Sequence, residues 1–401
     1  MRWSISFLVS VCVSTAMLVG CASPSRLAAV PDQNYTDAIV PGMEEVRYFI
    51  DEDTSLFLEH GIHSVQREKS HLIADENEQQ QLPPANFLAI SGGGDQGAFG
   101  AGLLVGWSKT GKRPEFKAVT GISTGALTAP FAFLGEEYDD QLREVYTEVS
   151  PDKIMRVRAL VDIVFGDSAA DNSPLWKLVR KYCDEEMLRA IAAEYDKGRL
   201  LLIATTNLDA QRPVVWNIGE IAKSKHPSAL ELFHSVFIAS AAIPGAFPPV
   251  MIDVDVNGTA YQEMHVDGGA MSQVFIYPPS INLEQVAAER DVRRERILYV
   301  IRNARLDPEW ANVERRTLNI AGRAISALIQ TQGIGDLYKI YLSTQRDGID
   351  YNLAYIPATF DAEHTEEFDT VYMNKLFDLG FELAAGGFRW EKYPPGFIPD
   401  D

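Results

Sequence analysis

Three cysteines in 401 residues leave little room for a disulfide framework. Cys12 and Cys21 lie in the first apolar stretch, so only Cys183 falls in the rest of the chain. A single thiol cannot close an intramolecular bridge, even in an oxidising compartment. Basic charge is also scarce: 36 Lys and Arg stand against 56 Asp and Glu, a formal net charge of -20. That balance argues against nucleic acid as a partner and against long-range attraction to anionic lipid. No His/Cys/Asp cluster has metal-ligand spacing, so neither a metal nor another cofactor is expected. After the N-terminus no apolar run is long enough for a second membrane span, and no internal repeat is visible. What is present is a globular composition, 46% hydrophobic and 23% charged, in a chain long enough for one large domain or two ordinary ones.

The opening residues, MRWSISFLVSVCVSTAMLVGCAS, carry one basic residue at Arg2 and then an apolar stretch short for a bilayer span. The stretch ends in Leu18-Val19-Gly20-Cys21, which resembles the bacterial lipobox. That resemblance implies a lipoprotein signal peptide over residues 1–20 and acylation of Cys21, through which the protein would be anchored to a membrane. An ordinary secretory signal is the alternative. Ala22 rather than aspartate follows the cysteine, which by the same resemblance implies the outer membrane, facing the periplasm. Residues 21–84 then read as a lipidated N-terminus and polar linker, closing in ADENEQQQLPP from Ala74 to Pro84.

The periodic part of the chain starts at residue 85. Phe87 to Ser91 reads as a buried strand and Gly97 to Trp107 as a helix of small residues. Phe116 to Ile122 is a second strand, Thr124 to Leu134 a second helix, and Arg199 to Leu208 a third strand. Pro244 breaks a further helix, and Asn257-Gly258 signals a hairpin. RILYVIRNA reads as another strand, and the stretch from Thr317 to Arg346 as a long helix with glycine weak points. Strands alternating with helices imply a mainly parallel sheet covered on both faces. Residues 85–305 form one α/β domain on this reading, and 306–401 a helical extension packed on it. Trp107, Trp310, Tyr338 and Tyr341 read as core aromatics.

Between the first strand and helix, Gly92, Gly94 and Gly97 satisfy G-x-G-x-x-G, the letter pattern of a dinucleotide-binding turn. That site needs an acid at the end of the second strand to hold the ribose, and Glu115 precedes the strand instead. A P-loop needs Gly-Lys-Ser/Thr before the helix, which is absent. The second strand runs into Gly121-Ile122-Ser123-Thr124-Gly125, a G-x-S-x-G at a strand–turn–helix junction. There the motif forms a nucleophile elbow, whose tight turn needs glycines at 121 and 125 and leaves the Ser123 hydroxyl exposed. An exposed serine needs a base. The later histidines, His226, His234, His265 and His364, lie in no convincing loop after an acidic strand end, whereas Asp267-Gly268-Gly269 can turn a carboxylate towards the serine.

A triple-glycine turn, a G-x-S-x-G and a later D-G-G, in that order, resemble the patatin-like phospholipases. SAAIPGAFPPV is similar to the proline-containing segment before that family's catalytic aspartate. The resemblance covers residues 86–305 and implies a three-layer α/β/α patatin-like fold with a mainly parallel central sheet. It implies a lipid acyl hydrolase acting on phospholipid or another acyl ester, through an acyl-Ser123 intermediate with Asp267 as base. Backbone N–H groups of Gly92, Gly93, Gly94 and Asp95 would form the oxyanion hole. The sequence departs from the family where a basic residue is usual, at Gln96, and after Asp267-Gly268-Gly269, where AMSQVF follows. His265 is either a proton shuttle or a partly buried strand residue. Arg158 to Trp176 either covers the site or belongs to the core. Acyltransferase or thioesterase chemistry on the same dyad, or lipid binding without catalysis, are the alternatives, and the oligomeric state stays open.

Overall fold

The computed structural model describes residues 25–74, 82–158 and 166–399. The stretch read as a signal peptide, and Cys21, therefore lie outside the described residues. Eleven strands occur among the described residues: β1 Arg47–Phe49, β2 Ala85–Ile90, β3 Ala118–Gly121, β4 Arg156–Val157, β5 Ala170–Asp171, β6 Leu200–Asn207, β7 Arg212–Asn217, β8 Val250–Val256, β9 Thr259–Asp267, β10 Arg296–Arg305 and β11 Asp350–Ile356. Eleven helices accompany them: α1 Ser55–Ala74, α2 Gly97–Lys109, α3 Thr124–Leu134, α4 Asp139–Thr147, α5 Ser173–Tyr182, α6 Glu185–Asp196, α7 Ile218–Lys223, α8 Ala229–Ser240, α9 Leu283–Glu289, α10 Thr317–Arg346 and α11 Thr370–Ala385.

Nine strands form one sheet in the order β1-β7-β6-β3-β2-β10-β11, with β9 paired to β6 and β8 to β9. The run β6-β3-β2-β10-β11 is parallel, while β1, β7, β8 and β9 join antiparallel. The strands alternate their side chains between two covered faces. Leu88 and Ile90 of β2 pack into a core with α2, α3, α8 and α11, whereas Ala89 packs on the other face with Leu298, Val300 and Leu337 of α10. Helix layers on both sides make this the three-layer α/β/α arrangement. No described helix is long and apolar enough to cross a membrane.

Two close approaches set the layer next to α2. A Cβ at Gly102 or Gly106 would overlap the carbonyl oxygen of Phe377 or Phe381, so α2 and α11 meet backbone to backbone. Glycine inside a helix costs about 0.5–1 kcal/mol against alanine, and here it is the price of that contact.

Three expectations need correction. The stretch 21–84 is not simply a linker: its described part supplies β1 to the sheet and the twenty-residue α1 to one face. The signal was weak because β1 has only three residues and begins with a charged one, Arg47, whose guanidinium is buried and paired with Glu263 of β9. The C-terminal extension is not only helical, since β11 adds a parallel strand beside β10. Trp107 packs against Tyr299 and Trp390, but Trp310 is 88% exposed in the charged segment before α10, where no element covers it.

Candidate active site

The site is assembled at the carboxyl ends of β2, β3 and β9. Ser123 follows β3 in a sharp turn with φ 55 and ψ −125, a left-handed conformation that is strained for a residue with a Cβ. The flanking glycines are required by close approach. A Cβ at Gly121 would lie 2.5 Å from the Gly125 carbonyl oxygen, and one at Gly125 2.6 Å from that of Ser91. The Ser123 N–H donates to Ser240 Oγ at 3.0 Å, and that hydroxyl donates to the Ala204 carbonyl at 2.7 Å. The turn is therefore held from α8 as well as from within.

Asp267 ends β9 opposite Thr205 of β6, with its carboxyl group buried. Its Oδ1 accepts the Gly269 N–H at 2.7 Å, and the Ser123 side chain favours the charged form of the same carboxyl group. Burial pushes the acid up to about 7, against the Ser123 side chain and the Gly269 N–H, which favour the carboxylate. A Cβ at Gly268 would stand 2.7 Å from the Ala204 carbonyl oxygen, so glycine lets the turn lie against β6.

The glycine turn runs beside the serine: a Cβ on Gly92 would be 3.2 Å from that of Ser123. Its four candidate donors divide. The Gly92 N–H is already given to the Gln273 carbonyl at 3.1 Å, so Gly92 positions the turn and is not a free donor. Gly93 and Gly94, at φ 156 and φ 58, have N–H groups with no acceptor among the described residues. The Asp95 carboxylate points away into a clasp, accepting from His364 Nε2 at 2.7 Å and the Phe368 N–H at 3.0 Å. Only its backbone could act as a donor. The N-termini of α2 and α3 converge here, with Gly97 against Thr124, and both direct partial positive charge at the site.

Several partners had left no sign in the sequence. Asn303 donates to the Ser91 carbonyl at 3.0 Å and accepts the Gly100 N–H at 3.0 Å, bracing the turn from β10. Arg302 donates to Ser91 Oγ at 3.2 Å and to the Gly92 carbonyl at 3.3 Å. A buried guanidinium thus stands behind the turn, although Gln96 reaches only Tyr372 Oη at 3.5 Å. Gln273, within the departing AMSQVF, donates to the Gly269 carbonyl at 2.8 Å and so ties the aspartate loop to the glycine turn.

His265 is not at the serine. Its ring is fully buried, bonded to Thr205 Oγ1 at 2.9 Å and Glu263 Oε2 at 3.0 Å, and burial lowers its basicity. Cys183 is likewise buried, its thiol pushed up to about 12 by desolvation. It lines an apolar cavity of about 80 Å³ with Ser123, Leu127, Leu175, Phe247 and Phe368. Leu175 belongs to the segment read as cover or core, while residues 159–165 of that segment lie outside those described. Among the described residues, no group of three His, Cys, Asp or Glu side chains could hold a metal ion.

Comparison with known proteins follows this geometry. Residues 88–279 match the family model for patatin-like phospholipase. No curated protein matches the chain. Among solved structures, VipD from Legionella pneumophila aligns over 76% of this chain and 67% of its own, at 13% identity and a TM-score of 0.32. Human GIVD cytosolic phospholipase A2 aligns over 68% and 49%, at 11% identity and a TM-score of 0.30.

Proposed function

Residues 88–279 being a patatin-like phospholipase domain, we propose that the protein hydrolyses lipid carboxylic esters through Ser123 and Asp267. The observation that carries this reading is Ser123, at a strained turn, acting on the buried carboxyl group of Asp267 beside free N–H groups of the glycine turn. Ser123 Oγ attacks the ester carbonyl carbon while its proton passes to the Asp267 carboxylate. The N–H groups of Gly93, Gly94 and Asp95 stabilise the resulting oxyanion. Arg302 behind the turn and the two helix N-termini add positive potential that Gln96 does not supply. The tetrahedral intermediate collapses, the leaving alkoxide takes the proton from Asp267, and acyl-Ser123 remains. Water, deprotonated by Asp267, attacks that ester and releases the fatty acid, restoring the hydroxyl.

The apolar cavity beside Ser123 supports an acyl chain as the group bound there. We further propose that acylated Cys21 holds the protein at the outer membrane, on its periplasmic face, since two or more chains at about 0.8 kcal/mol per buried CH₂ anchor stably. Labelled fatty acid should enter the wild-type protein and not a Cys21→Ser variant.

Turnover of a defined phospholipid, followed as free fatty acid, tests the enzyme reading. Ser123→Ala and Asp267→Asn should each remove nearly all of it, and the double variant should be little worse. Release of acyl-alcohol ester in place of free acid, when an acceptor is added, would move the assignment to an acyltransferase. Full activity in Ser123→Ala would refute both.

A further inference from the structure

A second cavity, of about 400 Å³, lies at the other end of the sheet. Ala85, Ala118, Leu200 and Arg296, at the amino ends of β2, β3, β6 and β10, contribute to its wall. Ser123 stands past the carboxyl end of β3, so the two cavities sit at opposite ends of the same strands. Helices α1 and α9 close the sides with apolar side chains such as Phe57 and Val286. Its volume falls at the lower end of the roughly 300–1,000 Å³ typical of ligand pockets, room for one chain rather than two.

The wall has an unusual charge. Lys69, Lys117, Arg290, Arg294 and Arg296 line it and no Asp or Glu does among the described residues, in a protein with 56 acidic and 36 basic residues. Most of these cations are committed or at the rim. Arg294 grips Glu68 with two bonds of 2.8 Å, and Lys117 meets the same carboxylate at 2.7 Å. Lys69 and Arg290 are exposed. Arg296 differs: it is half-buried, burial lowers its basicity, and its guanidinium has no hydrogen bond or close ion pair among the described residues, Glu284 and Asp347 acting on it only at longer range. Gly61, inside α1, also faces this space, and a Cβ there would meet nothing within 4 Å. Packing does not demand glycine at that position, and a helix interior disfavours it.

We propose that this cavity binds a single long-chain fatty acid, with its tail among the apolar side chains and its carboxylate on Arg296. A guanidinium pairs a carboxylate through two parallel N–H bonds, and removal of such a charge-assisted pair lowers affinity about tenfold to a hundredfold. The occupant is a carboxylate rather than a neutral amphiphile because Arg296 offers the cavity a guanidinium that no described side chain hydrogen-bonds or pairs with at close range.

Calorimetric titration of the full-length protein with laurate and with dodecanol, below their aggregation limits, tests this. Laurate should saturate one site at least tenfold more tightly than dodecanol. Arg296→Met should weaken laurate about tenfold or more and leave dodecanol unchanged. Gly61→Leu, which fills the cavity without strain, should weaken both. Ester hydrolysis should be unchanged in both variants. Arg296→Gln serves the same comparison should the methionine variant not fold. Equal binding of laurate and dodecanol, no laurate binding, or laurate affinity unaltered by Gly61→Leu and by the Arg296 variant would overturn the proposal.

Discussion

Replacing Asp267 with asparagine should stabilise the protein and inactivate it, with the stability gain growing as the pH rises. The carboxyl group is buried, and desolvation pushes it up to about 7. An aspartate in the unfolded chain titrates near ~3.9. Between those values the folded state keeps a proton that the unfolded state has lost, so stability falls as pH rises from about 4 to about 7. At about 1.4 kcal/mol per unit over roughly three units, the native carboxylate costs up to about 4 kcal/mol above pH 7. Asparagine keeps the shape and can still accept the Gly269 N–H, but never ionises. Urea unfolding of the two proteins should therefore separate by about 2.5 kcal/mol more at pH 8 than at pH 5. The same titration governs catalysis in the opposite sense. Below about 7 the carboxyl already holds the proton that Ser123 must give up, so kcat/KM should climb about tenfold per pH unit and level off near 7. The asparagine variant should lose about 10²–10⁴-fold in turnover. A stability difference that does not change between pH 5 and pH 8, or a wild-type rate already level at pH 5, would refute the argument.

Two further outcomes follow from the packing. Gly125→Ala should cost about 3 kcal/mol or more, because its Cβ would press within 2.6 Å of the Ser91 carbonyl oxygen, whereas Gly94→Ala, facing open space at φ 58, should cost about 1–3 kcal/mol and chiefly lower turnover; thermal melts and kcat separate the two. Glu263→Ala should destabilise by about 3–5 kcal/mol by leaving the buried Arg47 guanidinium unpaired, measurable as a lower urea midpoint with an unchanged active-site titration.

The strand–turn–helix units of the candidate site were legible because their signals are local. Thr124–Leu134 is helical over the span expected, and G-x-S-x-G sits at the turn before it, since tight turns and helix starts are written within a few residues. The braces were not legible. Gln273, Asn303 and His364 meet the glycine turn from about 180 to 270 positions away, and polar side chains that serve one distant partner leave no periodicity. For the same reason the turn's donors could not be ranked: only the fold shows that the Gly92 N–H is occupied by Gln273. β1 escaped because it is three residues long and its first residue, Arg47, is charged, and the burial of that charge depends on Glu263 more than two hundred residues later.

The backbone seam between α2 and α11 has a consequence for how such a sequence can be cut and exchanged. The family match ends at residue 279, yet Asn303 secures the turn before α2, and Phe377 and Phe381 press on its glycines from beyond that point. The family match therefore stops well short of the mechanical unit. A chimera joined at 279 would bring α2 a stranger's helix, and any side chain reaching into Gly102 or Gly106 would lever the glycine turn away from Ser123. Successful recombination must carry the α2 glycines and the α11 backbone together, as a lock travels with its key.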